Sequence, residues 1–236
     1  MRDGPVGEVS DDGASPQSAA RYVPADREWL VLVVGGHSGV GKSVVAEQLG
    51  LRLGLPWLQV DDLRLALQYS GALKAESQAV LDYFSDAPEV WRRSPEELRD
   101  ALIAVGEALT PAIEIVVANH VDTAAPIVIE GDAVLPSIFE RAMIRERAAR
   151  GLVRGVFLVE PDERELLANM QVRGRGIDER DLAGLRVEAR AKQIFGEWLT
   201  EAAVRAGLPV LPPRPWADLP DRILAAAAAD SPSGAA

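Results

Sequence analysis

Apolar and polar positions alternate along the chain in blocks that predict strands and helices in turn. Residues 30–34 form a β-branched apolar run that ends in Gly35-Gly36, a pattern typical of a strand buried on both faces. Similar short runs predict four more strands, at residues 57–60, 127–129, 153–159 and 209–211. Strands that alternate with helices predict an α/β fold, in which a five-stranded parallel sheet is covered by helices on both faces.

Start and stop signals place the helices between these strands. A helix is predicted from Lys42 to Leu53, with Gly54 as its stop. Ser94-Pro95-Glu96-Glu97 reads as a capping box that opens a long helix, which Thr110-Pro111 is expected to kink or restart. Further helices are predicted at residues 136–149, 161–172 and 182–206. The polar, Gly- and Pro-rich ends, residues 1–26 and 225–236, are predicted to be disordered tails around one domain at residues 27–224.

Composition and charge exclude several classes of function. Hydrophobic residues make up 48% of the 236 positions, enough for a substantial core. The absence of cysteine excludes disulfides, thiolate catalysis and cysteine-bound metals. The formal net charge of −11 disfavours nucleic acid and anionic membranes as partners, because affinity for them comes largely from Lys and Arg. With no secretory signal pattern and apolar runs too short to span a bilayer, we expect a soluble cytoplasmic protein.

The strongest motif follows the first strand and opens the first helix. It reads Gly36-His37-Ser38-Gly39-Val40-Gly41-Lys42-Ser43, with two glycines in the spacing of a phosphate-binding loop before Lys and Ser. Such glycines let successive backbone N–H groups point at the phosphates of ATP. In that loop Lys42 is expected to reach the β- and γ-phosphates, and the Ser43 hydroxyl to ligate Mg²⁺.

Acidic residues follow two of the other strands. Asp61-Asp62 closes the second strand, and Glu130-Gly131-Asp132 closes the third. Because ligands bind beyond the carboxyl ends of parallel strands, we expect these acids beside the phosphate loop. Glu130 is the candidate for the Mg²⁺ side, and one of Asp61 and Asp62 for accepting the proton of an attacking hydroxyl. Either aspartate could instead cap the helix that is expected to begin near Leu63.

Arginine and glycine alternate in Arg173-Gly174-Arg175-Gly176, between two predicted helices. Such a segment favours a mobile lid, at residues 172–181, whose guanidinium groups close over the transferring phosphoryl group. A flexible surface loop is the alternative. His37 occupies a variable position of the phosphate loop and His120 stands alone, so neither is predicted to be catalytic. Trp91, Trp198 and Trp216 are interpreted as packing residues.

Taken together, these motifs resemble the nucleoside-monophosphate-kinase-like branch of P-loop kinases, and within it 2-phosphoglycerate kinase-like proteins. Val60-Asp61-Asp62-Leu63-Arg64 is similar to their Thr-Asp-Ser-Ile-Arg segment, and the stretch from Glu130 to Pro136 to their Glu-Gly-Val-His-Leu-Val-Pro segment. The resemblance runs from about residue 30 to residue 211. It implies a three-layer P-loop NTPase fold, ATP and Mg²⁺ as cofactors, Asp61 as the base and Arg64 as an acceptor-binding residue.

The sequence departs from that family at the predicted acceptor site. Asp62 stands where the family has Ser, and Ala133 stands where it has His. We therefore predict an ATP-dependent small-molecule kinase whose acceptor binds through Asp62, Arg64, Glu130 and Asp132, with a helical acceptor-binding region at residues 63–121. A 2-phosphoglycerate-like acceptor, a natural product as in chloramphenicol phosphotransferase-like enzymes, and a sugar nucleotide all stay open. So do a non-kinase ATPase switch and a homodimer.

Overall fold

Five apolar runs form one sheet in which every neighbouring pair of strands is parallel. The computed structural model describes residues 27–85, 89–173 and 182–229, without the side chain of Arg173. Within them the strands are β1 (Val31–Gly36), β2 (Trp57–Gln59), β3 (Ile127–Gly131), β4 (Val153–Leu158) and β5 (Val210–Leu211). Their order is β2-β3-β1-β4-β5, so β1 lies at the centre of the sheet. The predicted α/β fold with a five-stranded parallel sheet is confirmed.

Helices cover both faces of this sheet. They are α1 (Lys42–Leu53), α2 (Val60–Tyr69), α3 (Ala75–Asp82), α4 (Pro95–Asp122), α5 (Ala142–Ala149), α6 (Glu163–Arg173), α7 (Leu182–Arg205) and α8 (Leu219–Ala228). Short 3-10 helices occupy Tyr83–Ser85, Glu89–Arg92, Pro136–Glu140 and Trp216–Asp218. Helices α1 and α8 pack on one face, whereas α4, α5 and α7 pack on the other, which makes three layers.

The central strand shows why its sequence is almost continuously apolar. Val31 and Val33 point into the core beneath α4 and α7, and Leu32 and Val34 point into the core beneath α1 and α8. All four side chains are fully buried. Successive side chains of a strand alternate between faces, so a strand covered on both faces has no position left for a polar residue.

Several predicted helix ends are observed. Helix α1 begins at Lys42 and ends before Gly54, which adopts a left-handed conformation with φ of 65°. At the start of α4, the Ser94 hydroxyl accepts a hydrogen bond from the Glu97 N–H, and the Glu97 carboxylate accepts one from the Ser94 N–H. The capping box is therefore present as predicted.

The expected restart at Thr110-Pro111 is wrong, because α4 continues through Pro111 without a break. An interior proline removes one backbone donor and crowds the preceding turn, a cost that tertiary packing of the turns on both sides offsets here. Leu109 and Ile113, which flank the proline, are fully buried in the core. The Thr110 hydroxyl also donates to the Gly106 carbonyl at 2.8 Å and ties this part of α4 to its preceding turn.

Three other boundaries differ from the predictions. The helix predicted at residues 136–149 is a 3-10 helix followed by α5. Asp61 and Asp62 do not end a strand but lie in the first turn of α2, which follows β2 directly. The C-terminal tail predicted from residue 225 is wrong for residues 225–228, which belong to α8 and include the buried Ala227. The predicted N-terminal tail and most of the predicted lid, including Arg175, lie outside the described residues.

The described part of residues 63–121 is mostly helical and consists of α2, α3, two 3-10 helices and most of α4 with their short connections. Helix α4 is long and apolar enough to cross a membrane by length and composition alone. Half of its most apolar stretch is buried inside the protein, where Leu109, Ile113 and Val117 belong to the same core cluster as residues of the sheet and of α7. The apolar face of α4 therefore already has a protein partner.

Candidate functional site

The phosphate loop lies at the middle of the sheet edge where all five strands end. It follows β1, and the ends of β3 and β4 flank it because these strands pair with β1 on either side. Gly41 takes the N-cap position of α1 with φ of 76°, and a side chain here would overlap the ring of Trp216. No side chain of the described residues caps α1, so its first N–H groups are free to bind an anion.

Lys42 is buried, and its side chain turns back towards the loop residues that precede it. Its ammonium donates a hydrogen bond to the His37 carbonyl at 2.9 Å and a second one to the Asp132 carboxylate. Burial is the largest single influence on Asp132 and raises its pKa, but the charge and hydrogen bond of Lys42, together with Lys192 and His37, hold the pKa of that carboxyl below its usual range. The site thus contains a fixed cation beside the free N–H groups of α1.

Ser43 and Glu130 form the second contact between the loop and β3. The Ser43 hydroxyl donates to a Glu130 carboxylate oxygen at 2.8 Å, and Glu130 is 3% exposed. Burial raises the pKa of Glu130, although Lys42 and the Ser43 hydroxyl oppose that shift. A hydroxyl and a carboxylate are hard oxygen ligands, which suit Mg²⁺. The described residues contain no cluster of three or more acidic or His side chains that could hold a metal alone.

Asp61 faces the same edge from the first turn of α2. Partial removal from water raises its pKa, and the charge of Asp132 raises it further, while Arg64 and Lys42 act in the opposite direction. The Arg64 guanidinium lies 3.7 Å from the Asp61 carboxylate and donates to the Gln68 side chain at 3.0 Å. Asp61 and Asp62 are both exposed, and 59% of the Asp61 side chain is accessible to solvent.

A hydrogen-bond network holds Arg64 in place from the helical region. Gln68 is 3% exposed and donates to Asp82 and to Ser85, both at 2.8 Å. Gln78 donates to the Gln68 carbonyl at 2.9 Å. Residues of α2, α3 and the 3-10 helix after it therefore fix one edge of the space beside Asp61.

His37 joins the phosphate loop to the end of β4. It is 1% exposed, and its Nε2 accepts a hydrogen bond from the Glu160 N–H at 3.0 Å. Since Nε2 is the acceptor, Nδ1 carries the proton and donates to the Ser38 carbonyl at 3.0 Å. Burial lowers the pKa of His37 to about 4, and the nearby Lys42 charge acts in the same direction. The His37 ring is therefore neutral near pH 7, and its hydrogen bonds connect the phosphate loop to the end of β4.

Arg214 links the same strand end to the outer side of the loop. Its guanidinium donates to Glu160 at 2.6 Å and to Asn169 at 3.2 Å, and lies 2.7 Å from Glu165. Asn169 in turn donates to the Gly39 carbonyl at 3.2 Å. Beside this network is a mainly apolar cavity of about 340 Å³, lined among others by Gly39, Gly41, Gln48, Asn169 and Trp216.

Comparisons with known proteins find similar solved structures only. No protein-family model matches the chain, and no curated protein matches it either. A gluconokinase from Sinorhizobium meliloti 1021 is 19% identical, with a TM-score of 0.40, over 86% of this chain and 93% of that one. A shikimate kinase from Acinetobacter baumannii, solved with shikimate, is 15% identical, with a TM-score of 0.41, over 83% of this chain and 91% of that one. Similarities of this size say nothing about the substrate of this chain.

The structure brings most of the predicted site residues together. Lys42, Ser43, Glu130 and Asp132 are in direct contact in two pairs, and Asp61 lies near enough for its pKa to respond to Asp132. Arg173 ends α6 and its side chain is not described, and Arg175 lies outside the described residues, so the lid stays a prediction.

Sequence reasoning missed the residues that support the loop from behind. They are Glu160, Asn169 and Arg214, which connect to the predicted loop residues His37 and Gly39. The residues in these contacts are 54 to 130 positions apart in sequence, and 45 for the Arg214–Asn169 pair. One signal was in the sequence, because Glu160 directly follows a predicted strand in the way that Asp61 and Glu130 do. Trp216, interpreted as a packing residue, packs on Gly41 but also lines the cavity.

Proposed function

We propose that this protein is an ATP-dependent kinase that transfers the γ-phosphoryl group to a small molecule. The observation that carries the proposal is the convergence of an uncapped α1 N-terminus, the Lys42 ammonium and the Ser43–Glu130 pair at one sheet edge. Asp61, a carboxyl with a raised pKa, lies at the same edge. A phosphate-binding cradle with a base beside it is what transfer to a hydroxyl requires.

In this mechanism the α1 N–H groups and Lys42 hold the phosphates, and Asp61 orients the acceptor hydroxyl. The hydroxyl oxygen attacks the γ-phosphorus, the bond from that phosphorus to the β–γ bridging oxygen breaks, and ADP leaves. The proton of the hydroxyl passes to the Asp61 carboxylate. Ser43 and Glu130 would hold Mg²⁺, which when bound supplies positive charge to the phosphate oxygens.

The cavity beside Trp216 is the proposed site of the nucleobase. It adjoins Gly39 and Gly41, so it opens onto the same loop that would hold the phosphates. Its lining is mainly apolar and includes the indole of Trp216, which is 41% exposed and offers a flat face to a ring. The Asn169 side chain is already engaged by Gly39 and Arg214, which leaves Gln48 as the polar side chain of the lining that could read the base edge.

The proposed acceptor binds between the loop and the helical region, next to Asp61 and Arg64. An arginine fixed by Gln68 favours an acceptor with a carboxylate or phosphate group, as in 2-phosphoglycerate. Ala133, at the position where the resembling family has His, is buried and faces the core. A residue that packs in the core does not select the acceptor, so this difference leaves both acceptor classes open, and a neutral hydroxylated natural product is the alternative.

Phosphoryl transfer from labelled ATP to a panel of glycerates, sugar acids, nucleotides and aminocyclitols tests the proposal. We expect a labelled product from at least one acceptor, with loss of both transfer and nucleotide binding in Lys42→Ala. A protein that hydrolyses ATP in the presence of every acceptor, without labelling any, is a switch or ATPase rather than a kinase. A Trp216→Ala variant tests the base site separately, because it should weaken binding of ATP more than binding of inorganic triphosphate.

A further inference from the structure

Helix α7 buries a second lysine close to the phosphate loop. The chain has three lysines, and Lys74 is exposed whereas Lys42 and Lys192 are 4% and 8% exposed. Lys192 forms an ion pair with Glu188 one turn earlier on α7, and both side chains are nearly buried. A buried lysine needs an explanation, because removing an ammonium group from water is costly even when it is paired.

The face of α7 that carries Lys192 also contacts the phosphate loop. Glu188, Lys192 and Gly196 are spaced four residues apart and therefore share one side of the helix. Gly196 lies directly against the loop, since a side-chain carbon added to it would stand 2.9 Å from the His37 ring. Lys192 is one turn before this contact, a rise of about 6 Å, which an extended lysine side chain can span.

The charge of Lys192 affects the pKa values of two groups in the candidate site. It helps to lower the pKa of Asp132, the partner of Lys42, and the pKa of His37 within the loop. Glu188 lies on the other side of Lys192, away from Gly196. Lys192 is therefore paired with a carboxylate on its own helix, one turn from the contact with the phosphate loop, and its charge acts on two groups of the site.

We propose that Lys192 contacts the γ-phosphate of the bound nucleotide, and that Glu188 holds its ammonium in the absence of nucleotide. This inference rests on the proposed function. A phosphate oxygen replaces the Glu188 carboxylate as the partner of the ammonium, so the cation is never left buried and unpaired. Lys192 then supplies a second cation for the charge on the transferring phosphoryl group, independently of the predicted lid arginines.

The test compares two nucleotides that differ in the γ-phosphate. Isothermal titration calorimetry in the presence of Mg²⁺ measures the affinity of the wild type and of Lys192→Met for ADP and for a non-hydrolysable ATP analogue. We expect Lys192→Met to weaken binding of the analogue about 10-fold or more, and binding of ADP by less than about 2-fold, because a charge-assisted contact to one phosphate is lost.

Glu188→Gln is the matched control for a purely structural ion pair. It breaks the same pair but leaves the Lys192 cation, so we expect it to retain or increase the affinity for the analogue. The inference is overturned if Lys192→Met weakens both nucleotides equally or neither, or if Glu188→Gln reproduces the loss. If Lys192→Met does not fold, the double variant with Glu188→Gln removes the unpaired carboxylate and is expected to show the same selective loss. A wild type that binds neither nucleotide refutes the proposed function itself.

Discussion

Acidification should destabilise this protein through His37, and a single substitution should remove the effect. His37 is fully buried, and its Nε2 accepts a hydrogen bond from the Glu160 N–H. Protonation of Nε2 would replace an acceptor by a donor and place a charge beside Lys42. His37→Gln keeps a side-chain oxygen that can accept from the Glu160 N–H, but it cannot titrate.

The magnitude follows from the difference between the folded and unfolded pKa. The pKa of His37 is about 4 in the folded protein and 6.5 in the ordinary state. Between these values the unfolded chain binds more protons than the folded one, so stability is lost as the pH falls from about 6.5 towards 4. From pH 7 to pH 5 the loss from this one group is about 2 kcal/mol, or a decrease in Tm of about 4–8 °C.

Chemical denaturation at a series of pH values measures this loss in wild type and in His37→Gln. Other groups also titrate, so the quantity of interest is the wild-type loss minus the loss in the variant. His120→Gln makes the same chemical change far from the phosphate loop, at the C-terminal end of α4. A difference between wild type and His37→Gln below about 0.5 kcal/mol at pH 5, or the same difference for His120→Gln, would refute the assignment of the effect to His37.

Three further substitutions test individual parts of the site. Asp61→Asn removes the proposed proton acceptor and should lower kcat about 100-fold or more, while the affinity for an ATP analogue changes little. Because the pKa of Asp61 is raised, a pH–rate profile of the wild type should show activity declining with falling pH at values above the ordinary pKa of an aspartate. Glu130→Gln should raise the Mg²⁺ concentration for half-maximal activity about 10-fold, measured by titration of the metal, and an unchanged Mg²⁺ dependence would exclude Glu130 from the metal site. Gly41→Ala should lower both Tm and nucleotide affinity, because φ at this position is 76° and the new methyl group would overlap Trp216. Gly54→Ala is the control, because φ there is 65° but the space around it is open; it should lower the free energy of unfolding by only about 1 kcal/mol and leave nucleotide binding intact.

Local patterns in the sequence were sufficient for the sheet and for the phosphate loop. The inner strands β1, β3 and β4 are short apolar runs because they are buried on both faces, and this signal does not depend on which strands are neighbours. The loop is equally local, since its glycines, Lys42 and Ser43 are consecutive and follow β1 directly. The acids that follow β2 and end β3 could also be expected beside the loop, because all carboxyl ends of a parallel sheet lie at one edge.

The order of the strands could not be predicted, and the missed part of the site depends on it. Because β4 pairs with β1, Glu160 at the end of β4 lies against His37, which is 123 residues away in sequence. Arg214 reaches Glu160 only because β5 pairs with β4. No local pattern encodes these pairings, so a histidine in a variable loop position gave no sign that it would be buried. Asp61 was assigned to the end of a strand because nothing in the sequence shows how soon α2 follows β2.

The charges around the phosphate loop determine how strong a base Asp61 is. Partial removal from water and the Asp132 carboxylate both raise the pKa of Asp61, while Lys42 lowers it. Lys42 is also the ion-pair partner of Asp132. Phosphate oxygens that bind Lys42 would add negative charge to the site and draw the ammonium away from Asp132, and both changes raise the pKa of Asp61. A bound triphosphate would therefore strengthen the neighbouring base, which couples removal of the acceptor proton to the presence of the phosphoryl donor.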